Sequence, residues 1–165
     1  MKPTILLVDD EKNTREGLAR ALRRSYNVML AESAMTALDI LKEETPDAVL
    51  TDLKMPGMDG MTLVRRILAQ EPSPVCILLT AYGDVETAVE AMKAGAYDFL
   101  TKPVNLDRLE VLLRRAIRTQ RLEESNQRLQ KELDSKYGLD QIIGQAPIME
   151  EVFDTIRQVA PSKAT

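Results

Sequence analysis

The sequence has 165 residues, enough for one domain of about 100–150 residues and an appendage. Its net charge of −4 gives no electrostatic reason to expect direct nucleic-acid binding, and no apolar run is long enough to cross a membrane. The absence of histidine excludes Ser-His-Asp and Cys-His catalysis and histidine metal sites, so any chemistry must use carboxylates, hydroxyls, lysine or backbone groups.

Five short apolar runs in the first 104 residues predict β-strands. They cover residues 4–8, 27–31, 47–51, 75–80 and 97–100. Unbroken apolar runs of this length are typical of strands that are covered on both faces, as in a parallel sheet. The single cysteine, Cys76, falls in the fourth run, so we expect it to be buried. One cysteine forms no disulfide within the chain, which indicates a reducing, cytoplasmic setting.

Segments with helical periodicity separate these runs. Their apolar positions are Leu18, Ala21 and Leu22; Ala34, Ala37, Leu38 and Leu41; Leu63, Ile67 and Leu68; and Val85, Ala88, Val89 and Met92. Ser33 and Asp84 are predicted N-caps, and Gly95 is predicted to stop the fourth helix. This alternation predicts a doubly wound α/β fold whose ligands gather at the carboxyl ends of the strands.

Asn105 is a predicted N-cap, and a helix of about 30 residues is predicted to follow it, because no Gly or Pro occurs until Gly138. Its first part is expected to pack on the sheet through Leu106, Leu109, Leu113 and Ile117. Its second part predicts a short coiled-coil seam between two copies of the chain, formed by Leu122, Asn126, Leu129 and Leu133. A solvated, fraying helix is the alternative, since two heptads are few.

The same helix carries a basic stretch, which consists of Arg114, Arg115, Arg118 and Arg121. Carboxylates occur nearby in the sequence, at Asp107, Glu123 and Glu124. We therefore interpret the stretch as a solvated helix face with ion pairs within the helix. No direct nucleic-acid binding by this fragment is expected.

Polar side chains stand at the ends of four predicted strands. Asp9 and Asp10 follow the first strand, and Asp52 follows the third. Thr80 ends the fourth strand and Lys102 follows the fifth. These groups should converge on one crevice, where three carboxylates need a cation and oxygen ligands favour Mg²⁺. With a lysine and a hydroxyl nearby, the set suits in-line phosphoryl transfer onto a carboxylate.

The motifs at these positions resemble the receiver domain of bacterial two-component response regulators. The resemblance spans residues 3–120 and rests on Val8-Asp9-Asp10-Glu11, on the segment from Thr51 to Gly60, on Leu79-Thr80-Ala81-Tyr82 and on Thr101-Lys102-Pro103. It implies a CheY-like (flavodoxin-like) five-stranded parallel sheet with strand order 2-1-3-4-5. It also implies that a sensor histidine kinase phosphorylates Asp52.

The resemblance further implies a role for individual residues at the crevice. Mg²⁺ would be held by Asp9, Asp10, Asp52 and the backbone carbonyl of Lys54. A cis peptide bond is expected between Lys102 and the proline that follows it.

A switch is implied by the same resemblance. Thr80 would move toward the phosphoryl group, and Phe99, three residues before the lysine, would rotate. From the residues alone, Phe99 could equally be an ordinary core side chain of the fifth strand. Phosphorylation would then bias a two-state surface made by the fourth helix and the fifth strand.

Residues 138–165 resemble the start of the AAA+ ATPase domain of NtrC-type sigma-54 activators. The matching positions are Ile142-Ile143-Gly144-Gln145, Met149, Val152, Ile156 and Val159-Ala160. No phosphate-binding loop of the form GxxxxGK[ST] occurs, so we expect no ATP hydrolysis. The predicted organisation is a receiver at 3–120, a linker helix at 121–137 and an ATPase fragment at 138–165. The full-length protein would act with sigma-54 RNA polymerase and DNA.

Three alternatives share parts of this pattern. An aspartyl-phosphate phosphohydrolase usually needs a second Asp two residues after the first, where this sequence has Lys54. A flavodoxin-like cofactor binder would meet an acidic crevice that repels a flavin phosphate. A receiver that works without phosphorylation gains no support from the intact set of five residues. We therefore expect a signalling domain that turns over no outside substrate.

Overall fold

Five parallel strands form the centre of the molecule in a computed structural model, which describes residues 2–70, 72–81 and 85–137. They are β1 (Thr4–Val8), β2 (Asn27–Ala31), β3 (Ala48–Asp52), β4 (Val75–Thr80) and β5 (Asp98–Thr101). They pair in the order β2-β1-β3-β4-β5, which confirms the predicted fold class. Strands β3 and β5 each start and end one residue later than the sequence predicts.

Helices follow each strand and cover both faces of the sheet. They are α1 (Lys12–Leu22), α2 (Ala34–Glu43), α3 (Gly60–Leu68), α4 (Val85–Lys93) and α5 (Leu106–Tyr137). Alternate residues of β1 enter two different buried clusters, Ile5 in one and Leu6 in the other. The first cluster contains α1 and α5 side chains, and the second contains those of α2, α3 and α4. Helices α1 and α5 therefore pack side by side on one face of the sheet.

Polar side chains fix the starts of three helices. The side-chain oxygens of Ser33, Asp59 and Asn105 accept hydrogen bonds from backbone N–H groups three residues later, at 3.1, 2.7 and 2.9 Å. These bonds satisfy donors that the first helical turn leaves unpaired. Two of these residues, Ser33 and Asn105, are caps that the sequence predicts. The other predicted cap, Asp84, lies outside the described residues.

Helix α4 does not bury the apolar stripe that predicts it. Val89 and Met92 are 45% and 51% exposed, whereas Ala91 is buried against the sheet. The buried side of α4 therefore differs from the predicted side. The small side chain of Ala91, together with Ala96 after the helix, joins the buried cluster at this edge. Gly95 follows the helix with a φ of +92°, the left-handed conformation that ends helices, as predicted.

Helix α5 has 32 residues, close to the predicted length. Leu109, Leu113 and Ile117 are buried as expected, but Leu106 is 42% exposed. The chain divides into two units, Met1–Gln120 and Arg121–Thr165. In the second unit the described residues are the end of α5. There the seam residues Leu122, Asn126, Leu129 and Leu133 are exposed, and their pairing with a second chain stays a prediction.

The ion pairs predicted for the basic stretch of α5 are wrong for three of its members. Arg114, Arg115 and Arg118 make no ion pair with any residue that the structure describes. For Arg115 and Arg118 the reason lies in helical spacing, because positions three and four residues away from them hold no carboxylate. Further along α5, Arg128 pairs with Glu132 at 3.7 Å.

Two further sequence-based expectations concern the C-terminal segment and membrane-spanning helices. The predicted ATPase fragment at 138–165 lies outside the described residues. Among the helices that are described, none combines the length and the apolar character of a membrane-spanning segment.

Candidate functional site

The carboxyl ends of β1, β3, β4 and β5 bring the predicted residues to one crevice. Asp52 is the last residue of β3, and Thr80 is the last residue of β4. Asp9 follows β1 and donates its backbone N–H to the carbonyl of Ala31 at 3.2 Å. Lys102 follows β5 and donates its backbone N–H to the carbonyl of Thr80 at 2.7 Å. The sheet's hydrogen bonds therefore fix the backbone of this crevice.

The ammonium group of Lys102 bridges two carboxylates. Its Nζ donates to Oδ2 of Asp52 at 2.6 Å and to Oδ2 of Asp9 at 2.9 Å. The Asp9 side chain is fully buried, and those of Asp52 and Lys102 are 13% and 19% exposed. Such a bridge satisfies charges that would be costly to bury unpaired.

The pKa of Lys102 reflects a balance of two effects. Burial alone would lower this pKa, but the hydrogen bonds and charges of Asp52 and Asp9 outweigh it, so the pKa is raised. The lysine therefore stays protonated at neutral pH. Its contribution to folding stability is complete below the ordinary lysine pKa and is lost only as the pH rises through the higher folded-state value.

Three carboxylates at the crevice fit a divalent cation. One side-chain oxygen from each of Asp9, Asp10 and Asp52 lies within 4.8 Å of the others. Three negative charges face the single positive charge of Lys102, which leaves an excess that suits a dication. Oxygen ligands of this kind favour Mg²⁺, which keeps several of its waters. Lys54 lies two residues beyond Asp52 on the loop to α3, and its carbonyl stays a predicted ligand.

Two contacts around Asp9 were not evident from the sequence. Its Oδ1 accepts the backbone N–H of Glu11 at 2.8 Å, which leaves Oδ2 for the lysine. The guanidinium of Arg15, one turn into α1, donates from Nη1 to the backbone carbonyl of Asp9. Arg15 lies six residues from Asp9 on a helix whose other charged residues are exposed, so the sequence alone gives no signal for this contact.

Gly60 is a second residue that the sequence did not single out for the site. It starts α3, and its backbone N–H donates to the carbonyl of Leu53 at 2.9 Å. A Cβ atom at this position would lie 2.1 Å from the carbonyl oxygen of Asp52. Only glycine lets α3 approach the end of β3 this closely. The glycine at the end of the motif from Thr51 to Gly60 was the available signal in the sequence. The close contact between the start of α3 and the end of β3 is visible only in the structure.

The predicted switch residues lie on neighbouring strands. Thr80 is 2% exposed at the end of β4, and Phe99 of β5 pairs in register with Leu78 of β4. Phe99 is half-buried and packs against the buried cluster under α2, α3 and α4. The expected cis peptide bond between Lys102 and Pro103 is present. Whether Thr80 and Phe99 act together stays a prediction.

Cys76 contributes nothing to the crevice. It is buried within β4, and burial raises the pKa of its thiol to about 12. A thiol with so high a pKa is not a nucleophile at neutral pH. The prediction that it is a small buried core residue is confirmed.

Comparison with known proteins agrees with this geometry. Residues 5–114 match the family model described as the response regulator receiver domain. The chain is 40% identical to the transcriptional regulatory protein ZraR of Salmonella typhimurium over 165 residues, which is 99% of this chain and 36% of that protein. It is 37% identical to the C4-dicarboxylate transport transcriptional regulatory protein DctD of Rhizobium meliloti, over 96% of this chain and 35% of that protein.

Solved structures show the same fold. NtrX from Brucella abortus, solved in complex with ADP, has a TM-score of 0.74 and 32% identity over 98% of this chain and 35% of its own. A response regulator receiver domain from Clostridium thermocellum has a TM-score of 0.69 and 35% identity over 73% of this chain and 98% of its own. The curated relatives ZraR and DctD are longer, and the chain spans about a third of their length.

Proposed function

The chain belongs to the response regulator receiver domain family, and on that premise we propose that Asp52 accepts a phosphoryl group from a partner sensor histidine kinase. One observation carries this proposal. The Asp52 carboxylate is held by Lys102 at 2.6 Å, beside the carboxylates of Asp9 and Asp10 and at an open end of the sheet. Such a carboxylate is oriented for attack, and its neighbours supply both a cation site and a fixed positive charge.

The proposed transfer moves one phosphoryl group between two side chains. A carboxylate oxygen of Asp52 forms a bond to the phosphorus of a phosphohistidine on the kinase. The phosphorus–nitrogen bond breaks, and its electron pair stays with the imidazole, which takes up a proton. The product is an acyl phosphate on Asp52. Lys102 remains protonated throughout and can exchange its bond to Asp52 for one to a phosphoryl oxygen.

Mg²⁺ is the proposed cofactor. Asp9, Asp10, Asp52 and the carbonyl of Lys54 would hold it, and the clustered oxygens of the three carboxylates support this assignment. When bound, the ion supplies positive charge for the phosphoryl oxygens that Lys102 alone does not neutralise. The same charge would offset the repulsion among the three carboxylates.

The phosphoryl group would act as a signal within a larger regulator. The relatives are transcriptional regulators about three times as long, which supports a role for this receiver in a sigma-54-dependent activator. Thr80 and Phe99 would report the modification to the α4–β5 side, and the exposed seam of α5 would pair two chains. In the whole protein, an AAA+ domain, sigma-54 RNA polymerase and DNA would receive the signal. The free, buried thiol of Cys76 fits a cytoplasmic location.

We assign no turnover of outside substrates to this chain. A phosphohydrolase would need an acidic side chain two residues after its nucleophile to protonate a leaving group, and Lys54 occupies that position. The chemistry would therefore be limited to accepting the phosphoryl group and to its slow hydrolysis from Asp52.

The proposal predicts that a small phosphodonor such as acetyl phosphate labels the 165-residue chain at Asp52, and that Mg²⁺ accelerates this labelling. Mass spectrometry of the intact chain should show one added phosphoryl group, and chelation of Mg²⁺ should lower the labelling rate at least about tenfold. Reduction of the acyl phosphate with borohydride followed by peptide mapping locates the label. A label on any residue other than Asp52, or an equal rate in the chelator, would overturn the proposal.

Pairing through α5 makes a separate prediction about oligomeric state. Leu129→Arg places a charge in the seam, and we expect the dimer dissociation constant to rise at least about tenfold because an apolar contact is replaced by like charges. Gln127→Arg adds the same charge off the seam and should leave association unchanged. Sedimentation equilibrium of both variants measures this. Equal dissociation constants for the two variants would show that the seam does not pair.

A further inference from the structure

A basic face lies on the side of the sheet that α1 and α5 cover. Arg20, Arg23 and Arg24 are spaced three and four residues apart at the end of α1, and Arg114 and Arg118 are four apart on α5. All five side chains are exposed. We call these five arginines the basic face. The two groups belong together because Leu22 of α1 and Leu113 of α5 share one buried cluster.

Tyr26 packs in the buried cluster that α1 and α5 share. It follows α1 and is buried in the same cluster, and burial is the largest cause of its raised pKa. The next causes are the charges of Glu110, which raises that pKa, and of Arg114, which lowers it. Tyr26 therefore lies within electrostatic range of the middle of α5. Because Tyr26 follows α1 and shares a buried cluster with Leu113, the end of α1 lies on the same side of the sheet as the middle of α5.

The arginines of the basic face lack ion-pair partners among the residues that the structure describes. Segment 12–24 holds five Lys and Arg residues against one Glu, and segment 108–118 holds four Arg against one Glu. Yet residues 1–120 as a whole contain 16 basic and 18 acidic residues. Positive charge is thus concentrated on this face of a domain that is otherwise acidic.

The basic face is remote from the phosphoacceptor. At 1.5 Å per residue, Arg20 lies about 12 Å along α1 from its start beside the crevice, and Arg23 and Arg24 follow the far end of that helix. Arg114 and Arg118 are equally far along α5, and the side chain of Gln120 already reaches the carbonyl of Ser73, before β4 begins. The face therefore flanks the amino ends of the strands, whereas Asp52 lies at their carboxyl ends.

We propose that the basic face binds an acidic amphipathic helix of a partner protein. An apolar contact is available, since Val111 is 65% exposed three residues before Arg114. Arginine next to an exposed apolar side chain is a combination enriched at protein interfaces. A second copy of this chain does not fit, because a symmetric contact would set arginine against arginine.

Charge also favours a protein over a nucleic acid as the partner. The five arginines could contact phosphates, but the surrounding domain carries more acidic than basic residues and would repel a long polyanion. Tyr26, which is buried in the cluster that α1 and α5 share, is 6% exposed and offers no surface on which bases could stack. A short acidic helix could contact the five arginines without extending over the acidic remainder of the domain surface.

Binding can be tested with a synthetic helical peptide that has Glu on one face and Leu on the other, titrated into the full 165-residue chain. Amide chemical shifts in NMR spectra should change at the end of α1 and along residues 108–118. The double variant Arg24→Glu with Arg114→Glu should weaken binding at least about tenfold. Arg65→Glu with Arg66→Glu makes the same charge change on exposed residues of α3, under the opposite face of the sheet, and should not weaken it.

Four results would overturn the proposal. They are no binding of the peptide, equal binding of a peptide with Gln in place of Glu, equal loss in the α3 double variant, and tighter binding of a short DNA duplex to the same face. The proposal stands apart from phosphoryl transfer, because both double variants keep every residue of the crevice. Labelling of Asp52 should therefore be unchanged in them whatever the outcome of the titration.

Discussion

Asp52→Asn is expected to abolish labelling by a phosphodonor, lowering its rate at least about a hundredfold. An amide oxygen carries no negative charge and is a poor nucleophile toward phosphorus, whereas its size and shape match those of the carboxylate. The fold should survive, since Asp9 still pairs with Lys102 at 2.9 Å. Intact mass after reaction with acetyl phosphate and saturating Mg²⁺ measures the effect.

Loss of the metal must be separated from loss of the acceptor. Asp10→Asn also removes one of the three clustered carboxylates but leaves Asp52, so it should still be labelled when Mg²⁺ is saturating. Asp39→Asn alters an exposed carboxylate that pairs with Lys42 on α2, and its labelling should equal that of the unaltered chain. If Asp52→Asn were labelled as fast as the Asp39 variant, another residue would be the acceptor.

A second readout of Asp52→Asn does not depend on the reaction. Lys102 keeps its raised pKa through hydrogen bonds to Asp52 and Asp9, against the effect of burial. Removing the Asp52 charge takes away one of these contributions while burial stays, so the pKa of Lys102 should fall. NMR titration of the lysine side chain measures this change. An unaltered pKa would mean that the 2.6 Å contact with Asp52 is not formed in solution.

The crevice could be predicted from the sequence because topology alone brings strand ends together. Asp9, Asp52 and Lys102 each end or follow an apolar run, and parallel pairing then places them at one edge of the sheet. The finer electrostatics could not be predicted. Asp9 and Asp10 are adjacent in sequence, yet the first is fully buried and paired with Lys102 while the second is exposed. Successive side chains leave a strand in opposite directions, and the sequence does not say which one turns inward.

Helix faces were harder to predict than helix positions. The stripe of Val89 and Met92 locates α4 correctly but not its rotation, because the buried contacts are made by small alanines. The arginines of α5 are a different case, where a basic run with acids nearby suggested ion pairs. Pairing requires partners at defined helical spacings, and Arg115 and Arg118 have none. The rotation of α4 depends on packing that the sequence does not contain, whereas the spacing around Arg115 and Arg118 is visible in the sequence.

Gly60 depends on an approach between two segments of backbone, which no local pattern reveals. Its Cα sits so close to β3 that an added Cβ would lie 2.1 Å from the carbonyl oxygen of Asp52 and 3.1 Å from the Cα of Leu53. Both contacts are with backbone atoms, which cannot rotate away as a side chain could. The start of α3 and the end of β3 would have to separate.

Gly60→Ala is therefore expected to lower the free energy of unfolding by about 2–3 kcal/mol and to weaken Mg²⁺ binding at least about tenfold. The displaced segment contains Asp52 and the loop to Lys54, so the cation site must shift with it. Urea unfolding followed by circular dichroism measures the first effect, and calorimetric titration with Mg²⁺ measures the second.

Gly17→Ala is the matched control, because Gly17 is exposed within α1 and its added Cβ would meet no atom within 4 Å. Alanine favours the helix there, so this variant should gain about 0.5–1 kcal/mol in stability and bind Mg²⁺ as the unaltered chain does. Opposite signs for the same chemical change would locate the cost of Gly60→Ala in the contact with Asp52. Equal stability of the two variants would mean that α3 does not approach β3 as the structure has it.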